Sequence, residues 1–351
     1  MKKLTFKRRK KTLQETAPSR ITNETVAEHR ERILAGGRRF KYPMQYARHK
    51  LVFNAILITL GAIILLVVIG WWQLYPAQNT NVFVYRVTRA LPLPVASVDG
   101  MWVPYSDYLL YYRGSTHYLQ QNEPANLQGD AGRRQTDYNK RQSLLSAELD
   151  AYAAKLANQL HIKVTDDQVD QQISEARNTS NGRISQETYD ASTLSVLGWD
   201  TGENRQAIRN NLLRVAVAYQ IDNTAKQQAD KAAELLKAPD ADFDKVAAAL
   251  GGEGSQKVEA GVSGLVPLTN RDDGRTAAAS KLQKGQVSGL IKTPTADSYY
   301  FVKLLDKNDT QLSYAYLRIP VTALKDQFAA LQKQHKIQEF ISVPQNDTQA
   351  K

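Results

Sequence analysis

The chain has 351 residues, a formal net charge of +11 and no cysteine. The length suits two or three domains of ordinary size. The absence of cysteine excludes disulfides, cysteine nucleophiles, thiolate metal sites and a lipid-modified N-terminal cysteine.

The charge is concentrated at the start. Residues 1–50 hold fifteen Lys/Arg and four Glu, while the rest of the chain carries 31 basic and 31 acidic residues. The body of the protein is therefore no polyanion binder by charge. The tail opens MKKLTFKRRKK, and within it NETVAEHRERIL reads as a short helix. A basic tail of this kind serves as a topology signal. Its sharper reading is contact with anionic lipid headgroups, and it carries no motif for a specific nucleic acid.

Leu51 to Trp72, LVFNAILITLGAIILLVVIGWW, is 22 residues without a charge. At a helical rise of ~1.5 Å per residue it spans roughly 33 Å, enough to cross a bilayer core. Trp71, Trp72 and Tyr75 cluster at one end, as interfacial aromatics do. A buried core helix is seldom this long and apolar, and a cleaved signal peptide has a shorter apolar run and a shorter basic lead. Arg48 and Lys50 abut the segment on one side, while the nearest cations on the other are Arg86 and Arg89. The positive-inside rule puts the N-terminus in the cytoplasm and residues 73–351 outside a cell membrane, crossed once.

Prolines in YPAQNTN and ALPLP mark residues 73–94 as a linker, with NVFVYRVTRAL between them ambiguous between strand and helix. VASVDG then reads as a short strand running into a turn at Asp99-Gly100. Ser106 is a candidate N-cap for the next helix. Tyr138 to His161 forms a long helix with Leu145, Leu149, Tyr152, Leu156 and Leu160 on one face. HIKVTDDQVDQQI carries a capping box, Thr165 with Gln168, that turns Val169 and Ile173 inward. Further helices begin near Ser185 and at Asp200 with Glu203. In the latter Ile208, Leu212, Val215 and Tyr219 share a face.

The opening VASVDG, the phrase HIKVTDDQVDQQI and the closing IRNNLLRVAVAYQI resemble the N-terminal domain of the SurA/PrsA/PpiD group of extracytoplasmic folding factors. Residues 222–321 are similar to a parvulin-type prolyl isomerase domain. Residues 222–237 and 241–250 form two helices, with Ala225, Ala229, Ala232, Leu236, Phe243, Val246 and Leu250 inward. AGVSGLVPL is a glycine-marked turn into a strand, and LQKGQVSGLIKT and SYYFVKLLDK give two more. Gly261, Gly264, Gly285, Val287 and Ser288 match scaffold positions of that family.

A prolyl isomerase must lower a barrier of ~18–20 kcal/mol about an X-Pro bond. The resemblance implies an apolar proline pocket, backed by two histidines on adjacent central strands, with a Cys or Asp beside the amide. Here Tyr300 stands where the second histidine is expected, and no strand with the first is found. The loop PLTNRDDGRTAAASK lacks the expected Met and Phe. The three histidines beyond the apolar segment, His117, His161 and His335, all fall outside residues 222–321. Residues 312–321, LSYAYLRIPV, resemble the missing first strand displaced to the end of the domain, which would put Tyr316 or Tyr314 in the first histidine's place. An ordinary connecting strand is the other reading.

After a helix capped by Thr322, with Leu324, Phe328 and Leu331 on one face, comes IQEFISV. In SurA-like proteins such a helix and strand return to complete the N-terminal domain. The expected organisation is thus a basic tail (1–50), a transmembrane helix (51–72), a linker (73–94), a helical SurA-N-like domain (95–221, completed by 322–343), a parvulin-like domain (222–321) and a disordered end (344–351). The expected fold class is α+β with one N-terminal transmembrane helix. Asp166/Asp167 and Asp272/Asp273 read as cap and turn residues, GGEGS lacks the Lys of a phosphate loop, and no cofactor or metal is implied.

The expected function is a membrane-anchored chaperone binding unfolded or translocating polypeptides. Tyr105, Tyr108, Tyr111 and Tyr112 are candidate peptide contacts, because Tyr offers large amphipathic area. Two alternatives stand beside it: an active isomerase whose divergent site uses Tyr300 and Tyr316, and a structural envelope protein with one dedicated partner.

Overall fold

The computed structural model describes residues 22–41, 43–179, 182–238, 241–295 and 297–344, and of residues 37–48 and 126 the backbone only. The expectations for the first 21 residues and for 345–351 lie outside the described residues. Two compact units are present, Met1–Trp71 and Trp72–Lys351.

The first unit holds α1 (Asn23–Lys41) and most of α2 (Pro43–Leu74). Within α2, His49–Leu74 is long and apolar enough to cross a membrane, and none of its most apolar stretch is buried. Charge-free apolar sequence on every side of a helix has no aqueous face to offer, which is the pattern of a span.

The second unit opens with α3 (Val82–Ala90), capped by Asn81, whose side chain accepts from Val84 N. Val84 and Tyr85 are buried in the main core together with Leu74. Residues 73–94 are therefore no free linker, because this short helix turns an apolar face onto its neighbours. β1 (Pro94–Val98) and β2 (Met101–Pro104) form a hairpin through Asp99 and Gly100, both left-handed with φ of 47° and 82°. Such a two-residue turn needs positive φ twice.

α4 (Tyr105–Asn122) starts without a break after β2. Its cap position is Pro104 rather than Ser106, and Tyr105 N donates to Leu93 O at 2.8 Å. A proline whose φ is already helical starts a helix without a side-chain cap. α5 (Gly129–Gln159) begins a full two turns before Tyr138. It packs against both α4 and α8. Its deepest residues are accordingly Leu144, Ala147, Glu148 and Ala153, with Leu145, Leu149 and Leu156 at the margin.

α6 (Asp166–Ala176) starts with the Thr165–Gln168 capping box and buries Val169 and Ile173, as expected. The β3 (Asn178–Thr179) and β4 (Gly182–Arg183) hairpin leads to α7 (Gln186–Leu197), capped by Ser185. α8 (Thr201–Ile221) opens with the Asp200–Glu203 capping box and buries Leu212, Val215 and Tyr219.

α9 (Asn223–Leu235) and α10 (Phe243–Leu250) precede β5 (Glu259–Val262) and β6 (Val266–Pro267). α11 (Arg275–Ala279), β7 (Ile291–Lys292), β8 (Ser298–Lys307) and β9 (Gln311–Pro320) complete this region. The sheet order is β5-β9-β8-β7, with β6 also paired to β9. Residues 312–321 thus run through the middle of the sheet.

Period-two alternation divides the sheet's faces. Tyr299, Phe301, Leu317 and Ile319 join the main core, while Val302, Leu304, Leu312 and Tyr314 form a second cluster with Ala279 of α11. α12 (Ala323–Lys333) buries Leu324, Phe328 and Leu331 against α8 and α5. β10 (Ile337–Glu339) then pairs with β1, giving a three-stranded sheet of order β10-β1-β2.

Candidate functional site

Tyr300 and Tyr316, the candidates for a divergent site, lie where β8, β9 and α11 meet. Tyr300 pairs across the sheet with Arg318, and Val302 pairs with Tyr316. Tyr300 is buried and Tyr316 half-buried. Over them lies Arg275, its guanidinium carbon 4.8 Å from the Tyr300 ring centre and 5.2 Å from that of Tyr316. This is a cation–π contact shared by two rings.

Arg275 is held in place from behind. Its Nε donates to Asp272 O at 2.8 Å, and the Asp272 carboxylate accepts from Thr276 N at 2.7 Å and Thr276 Oγ1 at 2.6 Å. Tyr314 Oη also donates to Asp272, and burial followed by that carboxylate pushes its hydroxyl pKa up. Asp272 is thus the turn residue expected, and it fixes α11 onto the sheet.

The scaffold residues have local reasons. A Cβ on Gly261 would lie 2.6 Å from Tyr316 Oη, so only glycine admits that ring. Gly264 and Gly285 turn the chain with φ of +68° and +84°. Val287 bridges to Lys303, and Ser288 exchanges two hydrogen bonds with Val302, one through its hydroxyl.

A charged guanidinium occupies the space above the rings, and the nearby Asp272 carboxylate is engaged by Thr276 and Tyr314. Among the described residues no group of three His, Cys, Asp or Glu is placed to hold a metal.

The tyrosines expected to contact peptide divide differently. Tyr105, Tyr108 and Tyr112 are buried, so they are core rather than surface. With Tyr75 they form a ladder, with successive centroids 6.0, 5.7 and 5.9 Å apart. Tyr105 Oη donates to Leu74 O at 2.7 Å and Tyr75 Oη to Pro94 O at 2.8 Å. The ladder ties α4 to the start of the unit. Spacing alone does not reveal that α4 is covered by α3 on one side and α5 on another.

Tyr111 faces elsewhere. It lines a cleft of about 440 Å³ between α4, α5 and the Leu197–Trp199 segment, with Tyr118, Leu119, Gln135, Asn139 and Trp199. Trp199 Nε1 donates to Leu110 O at 3.1 Å. Gly114 admits the indole, because a Cβ there would lie 2.7 Å from Trp199 Nε1. His117 Nε2 lies 2.9 Å from Ser195 O and joins α4 to α7. α7 itself buries no residue and leaves Leu194 and Val196 exposed. Sequence patterning does not single out Tyr118 and Trp199. The only signals for them are Gly114 in mid-helix and the Gly-Trp pair closing α7.

The helical unit also buries polar groups. Asp150 accepts from Tyr111 Oη and from Asn210 Nδ2 at 3.1 Å, and pairs with Arg214 at 3.2 Å. Asp107 is pushed up to about 6 by burial and by Asp150. Glu148 is fully buried, with neither carboxylate oxygen hydrogen-bonded, and is pushed up to about 8 by burial and by Glu339, against the pull of Arg141. Arg141 binds Glu339 at 2.6 Å and Val343 O at 2.7 Å, fastening the C-terminal strand.

Helical unit and five-stranded sheet together have the make-up of a chaperone–prolyl isomerase folding factor. Residues 44–218 match the family model of a SurA-like N-terminal domain. Residues 212–304 match that of the PPIC-type PPIASE domain, the rotamase family. The chain therefore belongs to the folding-factor family of SurA/PrsA/PpiD-type architecture. The first match includes α3, and the second ends within β8, leaving β9 outside it. No curated protein matches the chain.

Proposed function

We propose that this protein is a membrane-anchored folding factor that holds unfolded or translocating polypeptides without isomerising their prolines. The segment around 51–72 crosses the cell membrane once, the basic tail stays in the cytoplasm near anionic lipid, and Trp72–Lys351 works outside. The observation that carries the non-catalytic part is Arg275 lying over both Tyr300 and Tyr316. A proline ring needs a dry, apolar slot, and a guanidinium with unspent donors makes that space polar. The cleft at Tyr111, Tyr118 and Trp199 supports the client-binding part, since aromatic walls with amide rims accept varied apolar side chains and peptide groups. Tyr111 keeps its candidate role there, and Tyr105, Tyr108 and Tyr112 support it from the core.

The test uses the full chain in zwitterionic nanodiscs. NMR exchange of an Ala-Pro peptide is expected to run at its uncatalysed rate, while aggregation of an unfolded client is slowed. Tyr118→Asp is expected to weaken that protection. Exchange that accelerates with protein and is abolished by Tyr300→Ala would instead make the protein an isomerase with a new site.

A further inference from the structure

We infer that α1 is an interfacial helix that lies on the anionic face of the membrane with Val26, Ile33 and Leu34 turned into the lipid. The inference rests on the reading of His49–Leu74 as a span. In α1 the side chains of Val26, Ile33 and Leu34 are all exposed, Ile33 at 69 %. Their i, i+7, i+8 spacing places them on one face. On the helical wheel Glu28 and Glu31 fall opposite, Arg30 projects from within the apolar face between Val26 and Leu34, Arg32 lies toward the acidic side, and the helix sequence goes on to Arg38, Arg39 and Lys41. An apolar face carrying one long arginine that can reach up to the headgroups, with an acidic back and further cations toward the C-terminal end, suits a helix that lies in a headgroup layer.

The chain itself supplies the occupant. Lys41 ends α1 and Pro43 begins α2, so two Cα steps and under two turns of helix separate α1 from His49. That path is at most roughly 17 Å long. A helix tethered so close to a bilayer faces lipid before any other apolar surface. Its cations sit on the side where the positive-inside rule puts the anionic cytoplasmic leaflet, which attracts nearby Lys and Arg side chains.

The chain has no cysteine, so single labels are clean. Full-length Ile33→Cys, Glu31→Cys and Ile63→Cys variants would each carry an environment-sensitive fluorophore in vesicles of brominated phosphatidylglycerol or brominated phosphatidylcholine. The expected result is quenching with a blue shift at position 33, stronger in phosphatidylglycerol, with position 31 unquenched and position 63 quenched in both lipids. Arg30→Gln with Arg32→Gln should reduce the quenching at 33. Quenching at 63 with none at 33, or equal quenching at 31 and 33, overturns the inference alone. No quenching at 63 assigns the failure to the span and removes the inference with it. A blue shift at 33 that grows with protein density but is insensitive to brominated lipid would give this face to a second copy, and likewise overturns it.

Discussion

Asp222 and Thr322 join helix starts that are a hundred residues apart in sequence. One Asp222 oxygen accepts from Ala225 N at 2.9 Å and caps α9. The other accepts from Thr322 N at 2.8 Å and Ala323 N at 3.0 Å, capping α12. A single buried carboxylate thus satisfies orphan donors of two helices at the junction between the helical unit and the sheet.

Replacing Asp222 should therefore cost two caps at once. Asp222→Ala is expected to lower the stability of the fragment Trp72–Lys351 by about 2–3 kcal/mol, since one cap is typically worth ~1 kcal/mol. Asp222→Asn keeps one acceptor and should lose about half. Urea unfolding followed by circular dichroism reads both, and equal losses would show that the second cap contributes nothing.

Gly261→Ala tests whether Tyr316 is fixed. The added methyl must displace Tyr316 Oη from 2.6 Å. Overpacking of this kind costs ~1–3 kcal/mol. Because Tyr316 Cζ at 2.7 Å and Cε1 at 3.0 Å would clash as well, Tyr316→Phe should restore little of that loss in the double variant and Tyr316→Leu more of it. A neutral single variant would mean that the ring is free to swing.

The buried Glu148 gives a pH dependence with a definite sign. Its ordinary value of 4.5 rises to about 8 in the fold, so the folded state holds a proton that the unfolded state releases. Stability is then fully present below pH 4.5 and falls as pH rises from 4.5 to 8. One group contributes up to about 1.4 kcal/mol per pH unit in that window. Asp107, raised from 3.8 to about 6, adds a loss of the same sign at the lower end. Glu148→Gln should flatten the fall between pH 6 and 8 when urea midpoints are compared, given that window. An unchanged slope would place the proton elsewhere.

Gly114→Ala should reshape the cleft rather than unfold the protein. Its methyl would meet Trp199 at 2.7 Å and push the indole off Leu110 O. The expected readout is a shifted tryptophan emission together with weaker suppression of client aggregation. A shifted emission with unchanged suppression would separate the cleft from client binding.

Sequence carries the local features well. Thr165 with Gln168, Ser185, and Asp200 with Glu203 all cap helices through bonds spanning three residues, so short-range pattern suffices. The inward faces of α6 and α9 emerge from periodicity for the same reason. What escapes depends on partners far along the chain. Tyr105 and Tyr108 look like surface until α3 and α5 close over them, and residues 73–94 look like a stalk until Tyr85 is seen in the core. Arg275 escapes notice because an arginine in a loop says nothing until β8 and β9 bring two rings beneath it. The family resemblance points to Tyr300 and Tyr316, and geometry adds the Arg275 that lies over both rings.

The strand order has a consequence for how the chain comes into being. β9 is the spine of one sheet and β10 an edge of the other, and each pairs with strands that precede it in the chain. Neither sheet is finished until its later strand has been made, so β5, β6 and β8 wait for β9 and β1 waits for β10. A premature stop just before Gln311 would leave β5, β6 and β8 without their shared neighbour and β1 with an open edge. Such a product presents unpaired strand edges to its surroundings, a template for pairing with other chains.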